Sequence, residues 1–303
     1  MNIILSQSYS FCQLGKRDNQ EDARYPDTVT ADGTQRFFIV CDGVGGSDKG
    51  ELASRTVCDA FASSLKNFDF TGNFSNEAFR KSLDCAYDAL DKKAKGNSKD
   101  MATTLVFVCF HGDGCTMAHI GDSRIYLIRP SEGILYRSDD HSLVNSMVHN
   151  GVITPEEAKD HPQQNVITRY MEAVAKDENR CQAAVMRWNN LKAGDYVFLC
   201  SDGVLHCLTD EELTEILSDP LLKDDEKMGA ISFRCKDSSD NNTAWLIPIA
   251  GVEGMAESLS SDEAATVSQT KRLQVGRQGT EDIESVQSSS PQNIKEWFKN
   301  LFK

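Results

Sequence analysis

Apolar runs rich in Val, Ile, Phe and Cys recur through the first 250 residues. Those at 37–41, 104–110, 116–120, 124–129, 196–200 and 244–250 predict strands. Gly112-Asp113-Gly114 separates the second run from the third and reads as a hairpin turn, and Gly121-Asp122-Ser123, between the third and the fourth, reads the same way. The pattern changes period over about 50–66 and 76–95, which predict helices; in the second, Phe79, Leu83, Ala86, Tyr87 and Leu90 return at helical spacing. Residues 142–150 and 155–160 predict short helices, the latter opened by Thr154 as cap, Pro155 in the first turn and Glu157 at the third position. Thr209-Asp210-Glu211-Glu212 starts another, running to about 217. Hairpins beside helices, without strict strand–helix alternation, point to an α+β fold with a mainly antiparallel sheet covered by helices.

This organisation stops near residue 251. Residues 252–290 hold eight Ser and almost no aromatic side chains, and read as a flexible linker. In 291–303 the pattern returns: Asn293 can cap, Glu296 follows three residues on, and Ile294, Trp297, Phe298, Leu301 and Phe302 share one helical face opposite Lys295, Lys299 and Lys303. A helix this short is marginal alone in water, so it needs a surface. Packing back on its own domain and docking of 293–303 on a partner or a membrane surface both satisfy that need. The expected organisation is therefore a folded domain over 1–251, a linker over 252–290 and a basic amphipathic helix over 291–303.

Composition narrows the class. A net charge of −14 lacks the basic footprint that nucleic-acid binding requires. A hydrophobic fraction of 40% and a charged fraction of 26% are ordinary for a soluble globular chain of 303 residues. The 10 Cys show no Cys-x-x-Cys pair, and several sit inside apolar runs, which indicates reduced thiols and a cytoplasmic protein. No basic leader precedes Ile3-Ile4-Leu5, and no apolar run approaches the ~20 residues of a membrane span.

Chemistry enters where the strands end. Two runs deliver an Asp-Gly pair, Asp42-Gly43 and Asp202-Gly203; a third ends in Gly121-Asp122; Asp240-Asn241 precedes the run from Ala244; Glu21 and Asp22 come early. Carboxylates without His or Cys beside them are hard ligands suited to Mg2+ or Mn2+. Two such cations sharing a carboxylate lower the pKa of water and aim it at an electrophile. Arg17, a fork for a phosphate, suggests the electrophile, and hydrolysis of a phosphate ester follows.

Taken in order, the motifs resemble the metal-dependent protein phosphatases, the type 2C or PPM serine/threonine phosphatases, in their bacterial form. The matching segments are Gly15-Lys16-Arg17 through Ala23, Cys41 to Gly46, Met101 to Leu105, His119 to Arg124, Asp140 to Val144, His161-Pro162 through Arg169, Cys200 to Gly203, and Asp240 to Thr243. They span about residues 8–250. The resemblance implies a four-layer α-β-β-α sandwich of two antiparallel sheets flanked by helices. It implies two Mn2+ or Mg2+ ions, with Asp42 bridging them, Gly43 offering its carbonyl, Asp202 and Asp240 completing the first ion, and Glu21 reaching the second with support from Asp22. Asp122 and Asp202 would form the third, weaker site of bacterial members. Arg17 would hold the phosphate of phosphoserine or phosphothreonine while a metal-bridging hydroxide attacks. Residues 141–169, with His141, His161 and Arg169, would form a flap that shapes access. Phosphorylated proteins and a cognate bacterial serine/threonine kinase are the implied partners. The chain departs from the family pattern at Val44, where eukaryotic members commonly carry His, at His206, where many members carry Asp or Asn, and in Thr168 to Ala173. His206 reads as structural or as a general acid. A non-catalytic phosphoprotein-binding module, anchored through its C-terminal helix, is the competing class.

Overall fold

The long central strands are buried on both faces, and three stacked cores account for it. In the strand Phe37–Val44, Phe37, Ile39 and Cys41 face one core while Phe38 and Val40 face another. In Tyr196–Cys200, Val197 and Leu199 share the core of Phe38 and Val40, whereas Tyr196, Phe198 and Cys200 face a third. Alternate side chains of a strand point to opposite faces, so a run apolar at every position needs apolar material on both sides.

The computed structural model describes residues 1–44, 49–94, 101–159, 161–173 and 180–254. One antiparallel sheet contains β1 (Asn2–Leu5), β2 (Ser8–Gln13), β4 (Thr30–Ala31), β9 (Arg124–Arg129), β10 (Gly133–Arg137), β13 (Tyr196–Cys200) and β14 (Asn242–Glu253). Its order is β10-β9-β13-β14-β2-β4, with β1 also on β14. The second contains β3 (Asp22–Tyr25), β5 (Phe37–Val44), β6 (Ala102–Thr103), β7 (Leu105–His111), β8 (Gly114–Ile120), β11 (Met171–Glu172) and β12 (Ala184–Trp188), in the order β11-β6-β5-β7-β8-β12 with β3 also on β5. The sheets meet over Phe38, Val106, Val108, Leu127, Leu199, Trp245 and Ile247, where the Phe38 and Trp245 rings lie 5.0 Å apart. Helices α1 (Lys49–Leu65) and α2 (Asn76–Ala94) cover the second sheet. Helices α5 (Asp202–Leu205), α6 (Asp210–Ser218) and α7 (Asp224–Cys235) cover the first. Helices α3 (Leu143–His149) and α4 (Pro155–Lys159) lie between β10 and β11 in the chain. The architecture is the expected α-β-β-α sandwich.

Local signals held where they rested on hydrogen-bond chemistry. Thr209 and Glu212 form a full capping box at α6, and Thr154 and Glu157 exchange the same pair of bonds at α4. The hairpin through residues 112–113 is present, with His111 paired to Gly114. The second predicted hairpin is not. β8 pairs with β7 and β12, and β9 pairs with β13 and β10, so Gly121-Asp122-Ser123 carries the chain from one sheet to the other. Gly121 makes the crossing at φ +107, and a Cβ there would stand 2.6 Å from the Thr104 side chain. A short Gly-Asp link between apolar runs looks alike whether it closes a hairpin or changes sheet.

Met1–Gly254 form one compact unit. β14 extends to Glu253, where it pairs with Asn2, so the strand passes residue 251. The linker from 255 onward and the amphipathic segment 291–303 lie outside the described residues.

Candidate metal centre

Strand ends from both sheets meet at one rim of the sandwich, and each brings an acid. β3 begins at Asp22, which pairs in register with Asp42 near the end of β5. β13 gives way to Ser201, and Asp202 opens α5. Asp240 and Asn241 lead into β14, whose Ala244 pairs with Cys200. Asp122 occupies the turn between the sheets.

Hydroxyl and amide side chains fix these backbones. The Asp42 N–H donates to Thr104 Oγ1 at 3.0 Å, and the Asp42 carbonyl accepts from the Thr104 N–H and the Thr103 hydroxyl, both at 2.8 Å. Thr104 and Ser123 share a hydroxyl bond of 2.8 Å, tying β5 to the Asp122 turn. Ser201 donates to Asp22 Oδ2 at 2.8 Å and accepts from the Thr243 N–H at 3.0 Å. Asn241 accepts from the Glu21 N–H at 2.8 Å and donates to the Leu14 and Asn19 carbonyls, both at 2.9 Å. Gly43 packs against Gly50 so closely that a Cβ would come 2.5 Å from its backbone. A Cβ on Gly50 would in turn stand 3.0 Å from the Glu21 carboxyl carbon, which places that carboxylate beside the first turn of α1.

Crowding raises the acids. Burial, reinforced by Asp22, Asp202 and Asp122, pushes Asp42 well above the usual carboxylate range. Burial is also the leading cause at Asp22 and Asp122, each pushed up to about 7. At Asp202 burial raises the pKa, with His206 opposing and Asp240 adding to it. Protonation relieves such a cluster at a cost in charge; a divalent cation relieves it while keeping every carboxylate ionised. The donors are hard oxygens apart from His206, so the residues fit Mn2+ or Mg2+.

The predicted site residues divide into those the fold gathers and those it sets apart. Asp42, Asp122, Asp202 and Asp240 act on one another electrostatically at the rim. Asp22 lies beneath them, 2% exposed and bonded to Ser201, in a supporting position. Arg17 reaches the same place, donating to Asp240 Oδ2 at 2.6 Å, with half of its side chain exposed. His141 stands at the root of the 141–168 segment: its Nδ1 accepts from the Gly121 N–H at 3.1 Å, its ring stacks on His119 at 4.5 Å, and its carbonyl accepts from the Thr168 N–H. Burial, then the charges of His119 and Arg169, push the His141 ring down to about 3, so it stays neutral. A bridge between Ser142 and Ile167 closes the root. His161 lies further out, accepting from the Gln163 N–H, and Arg169 is exposed.

Two sets of residues carried no role in the sequence reading, and His206 carried one only as structural or as a general acid. Thr104, Ser123, Ser201 and Asn241 lie within the quoted motifs, but hydroxyl and amide scaffolding has no spacing rule. Arg124 grips Asp140 with two bonds of 2.7 Å, fastening the start of β9 to the residue before that segment. His206 Nε2 stands 3.9 Å from Asp202 Oδ2, and ligand atoms of Asp202, His206 and Asp240 all lie within 4.8 Å of one another.

Comparisons with known proteins agree with this geometry. A profile of the family described as Protein phosphatase 2C matches residues 14–230. Protein phosphatase PhpP of Streptococcus pneumoniae is 32% identical over 235 residues, covering 77% of this chain and 92% of that protein. The crystal structure of the Mycobacterium tuberculosis serine/threonine phosphatase PstP/Ppp superposes with a TM-score of 0.67 at 28% identity, over 82% of this chain and 99% of that one. The catalytic domain of PstP in complex with two manganese ions superposes with a TM-score of 0.65 at 26% identity, over 82% of this chain and 100% of that one.

Proposed function

The chain belongs to the Protein phosphatase 2C family, and we infer that it is a metal-dependent protein serine/threonine phosphatase working with two Mn2+ or Mg2+ ions. The observation that carries this reading is the convergence of Asp42, Asp122, Asp202 and Asp240 on one rim together with Arg17.

In this reading Asp42 and the Gly43 carbonyl would help to hold two cations. Asp202 and Asp240 would hold one ion, Glu21 the other with Asp22 behind it, and Asp122 with Asp202 would hold a third. When bound, such ions acidify water and offset the charge of a phosphate. The chain's own residues do the rest. Arg17 takes the phosphate oxygens in its fork, and its contact with Asp240 aims it there. The Thr103, Thr104 and Ser123 hydroxyls hold Asp42 and Asp122 in place, so little reorganisation accompanies the reaction. The flap, rooted by His141, selects what reaches the rim, with His161 and Arg169 further along it. Substrates are phosphorylated proteins, and a cognate serine/threonine kinase supplies them. The cytoplasm suits reduced cysteines, and no described helix is long and apolar enough to cross a membrane.

The test is hydrolysis of p-nitrophenyl phosphate by the full chain with Mn2+. Turnover is expected, and Asp42→Asn or Asp202→Asn is expected to abolish it. Wild-type rates in both variants would overturn the metal assignment. Tight phosphopeptide binding without hydrolysis at saturating Mn2+ would return the non-catalytic reading.

A further inference from the structure

We infer that His206 is a nitrogen ligand to the cation held by Asp202 and Asp240, and that it tilts this site away from Mg2+ toward cations that accept imidazole. The inference rests on the reading above that these two carboxylates hold a cation.

Asp202 opens α5 and His206 closes it, one helical turn later. Side chains four residues apart on a helix share a face. Here that puts Nε2 3.9 Å from Asp202 Oδ2, with the chosen Asp240 oxygen inside the same 4.8 Å group. Two donors each about 2.1 Å from one cation lie about 3 Å apart when adjacent and about 4.2 Å apart when opposite. The Asp202–His206 separation already falls in that interval, and the widest one in the group closes with less than about 1 Å of side-chain movement. The imidazole can make that movement, being 36% exposed and at the end of its helix. Asp240 is steered from the other side by Arg17, which occupies Oδ2, and by the Asn241 N–H on Oδ1. His206 approaches the pair from the helix side.

The consequence is selectivity. Mg2+ demands oxygen donors in near-ideal octahedral geometry, whereas Mn2+, Co2+ and Zn2+ accept imidazole. A carboxylate here would leave the donor set all oxygen; His206 makes it mixed.

The experiment loads the full-length protein with Mn2+ alone and reads pulsed electron paramagnetic resonance for coupling to 14N, alongside calorimetric titrations with Mn2+ and Mg2+. Wild type is expected to show a histidine-type coupling that His206→Ala and His206→Asp both lose. His206→Ala is expected to weaken Mn2+ about tenfold with a smaller change for Mg2+, and His206→Asp to raise the Mg2+ affinity. Wild-type Mn2+ bound without nitrogen coupling, or coupling that survives in His206→Ala, would overturn the inference and leave His206 as a partner of the Asp202 charge. Asp202→Asn separates the two levels: loss of Mn2+ binding upholds the underlying site whatever His206 does, and wild-type binding would remove the site itself. The wild-type spectrum decides the question even where a variant folds poorly.

Discussion

Strand β13 has an aspartate at each end, and the fold treats the two in opposite ways. Asp195, just before the strand, is fully buried and gripped by Arg129 through bonds of 2.7 and 2.9 Å, with the Lys192 N–H adding a third at 2.8 Å. Asp202, just after it, faces Asp42, Asp122 and Asp240, and its His206 neighbour stands 3.9 Å away. A structural acid buried in a fold carries its counter-charge with it, because an unpaired buried charge is costly. Acids that outnumber the cationic side chains beside them are arranged for a cation from solution. One end of the strand is a staple and the other, on the proposed function, is a site.

The sharpest break of this comparison is a matched pair of substitutions. Asp202→Asn is expected to lower turnover of p-nitrophenyl phosphate by at least about 1000-fold, since on the proposed function it removes a metal ligand. Metal-free stability should hold or rise, because one repelling charge goes. Asp195→Asn should do the reverse: it leaves Arg129 buried without its partner, costing about 3–5 kcal/mol, while molecules that remain folded keep their rate. Urea denaturation in EDTA and steady-state kinetics measure both. Equal losses of stability at the two ends would show that the rim is as structural as the staple.

Ion binding gives the next largest effect. Mn2+ at about 100 times its dissociation constant should stabilise the protein by about 2.7 kcal/mol, read as a rise in melting temperature that EDTA reverses. Asp202→Asn should abolish the rise, and a variant at Asp195 should keep it. A rise that survives Asp202→Asn would place the cation elsewhere.

The comparison also marks what the sequence could express. Asp42, Asp122 and Asp202 were legible because each follows an apolar run, and the runs were legible because four layers bury both faces of the central strands. The hairpin read at Gly121-Asp122-Ser123 failed because sheet membership is decided by partners far along the chain, Val197 for Leu127 and Val106 for His119. The strands Asn2–Leu5 and Ser8–Gln13 went unread because the first is only four residues long and polar residues interrupt the second, and both pair with β14, more than 200 residues away. Helix α7, Asp224–Cys235, buries mainly Lys227, Met228, Ile231 and Cys235, a stripe too mixed in character to show as one apolar face. The Asp195 staple was invisible for a similar reason: its Arg129 lies 66 residues earlier, and an Arg–Asp pair at that distance has no pattern.

pH should separate the rim in its metal-free state. Asp22 and Asp122 titrate near 7 in the folded chain, against about 3.9 in an unfolded one. Between those values the folded state holds more protons than the unfolded state, so stability falls as pH rises from about 4 to about 7 and then levels. In EDTA the melting temperature should therefore be higher at pH 5 than at pH 7.5. Saturating Mn2+ should remove or invert this slope, since a bound cation keeps the carboxylates ionised and binds better as protons leave. An EDTA profile that rises over the same window would mean that the rim acids already have their counter-charges.

The smallest effect tests the boundary between site and scaffold at the rim end of β13. Ser201 occupies the N-cap position of α5, yet its side chain makes no capping bond. It turns instead to Asp22, donating to Oδ2 at 2.8 Å, and takes the Thr243 N–H at 3.0 Å. This bond favours the ionised form of Asp22 against the burial that raises it. Ser201→Ala therefore removes a hydrogen bond to a charged group but no cap. The partner can partly escape the loss by taking up a proton, since its pKa already lies near neutrality. The expected cost is about 1 kcal/mol in urea denaturation with EDTA at pH 7, and turnover with Mn2+ should stay within about tenfold of wild type, because Ser201 supports the acids from below and none of its bonds goes to Asp42, Asp202 or Asp240. At pH 5, where Asp22 is protonated in both proteins, the stability difference should shrink. A loss of turnover as deep as that of Asp202→Asn would move Ser201 from scaffold to site, and the division between the two ends of the strand would then have to be drawn one residue earlier.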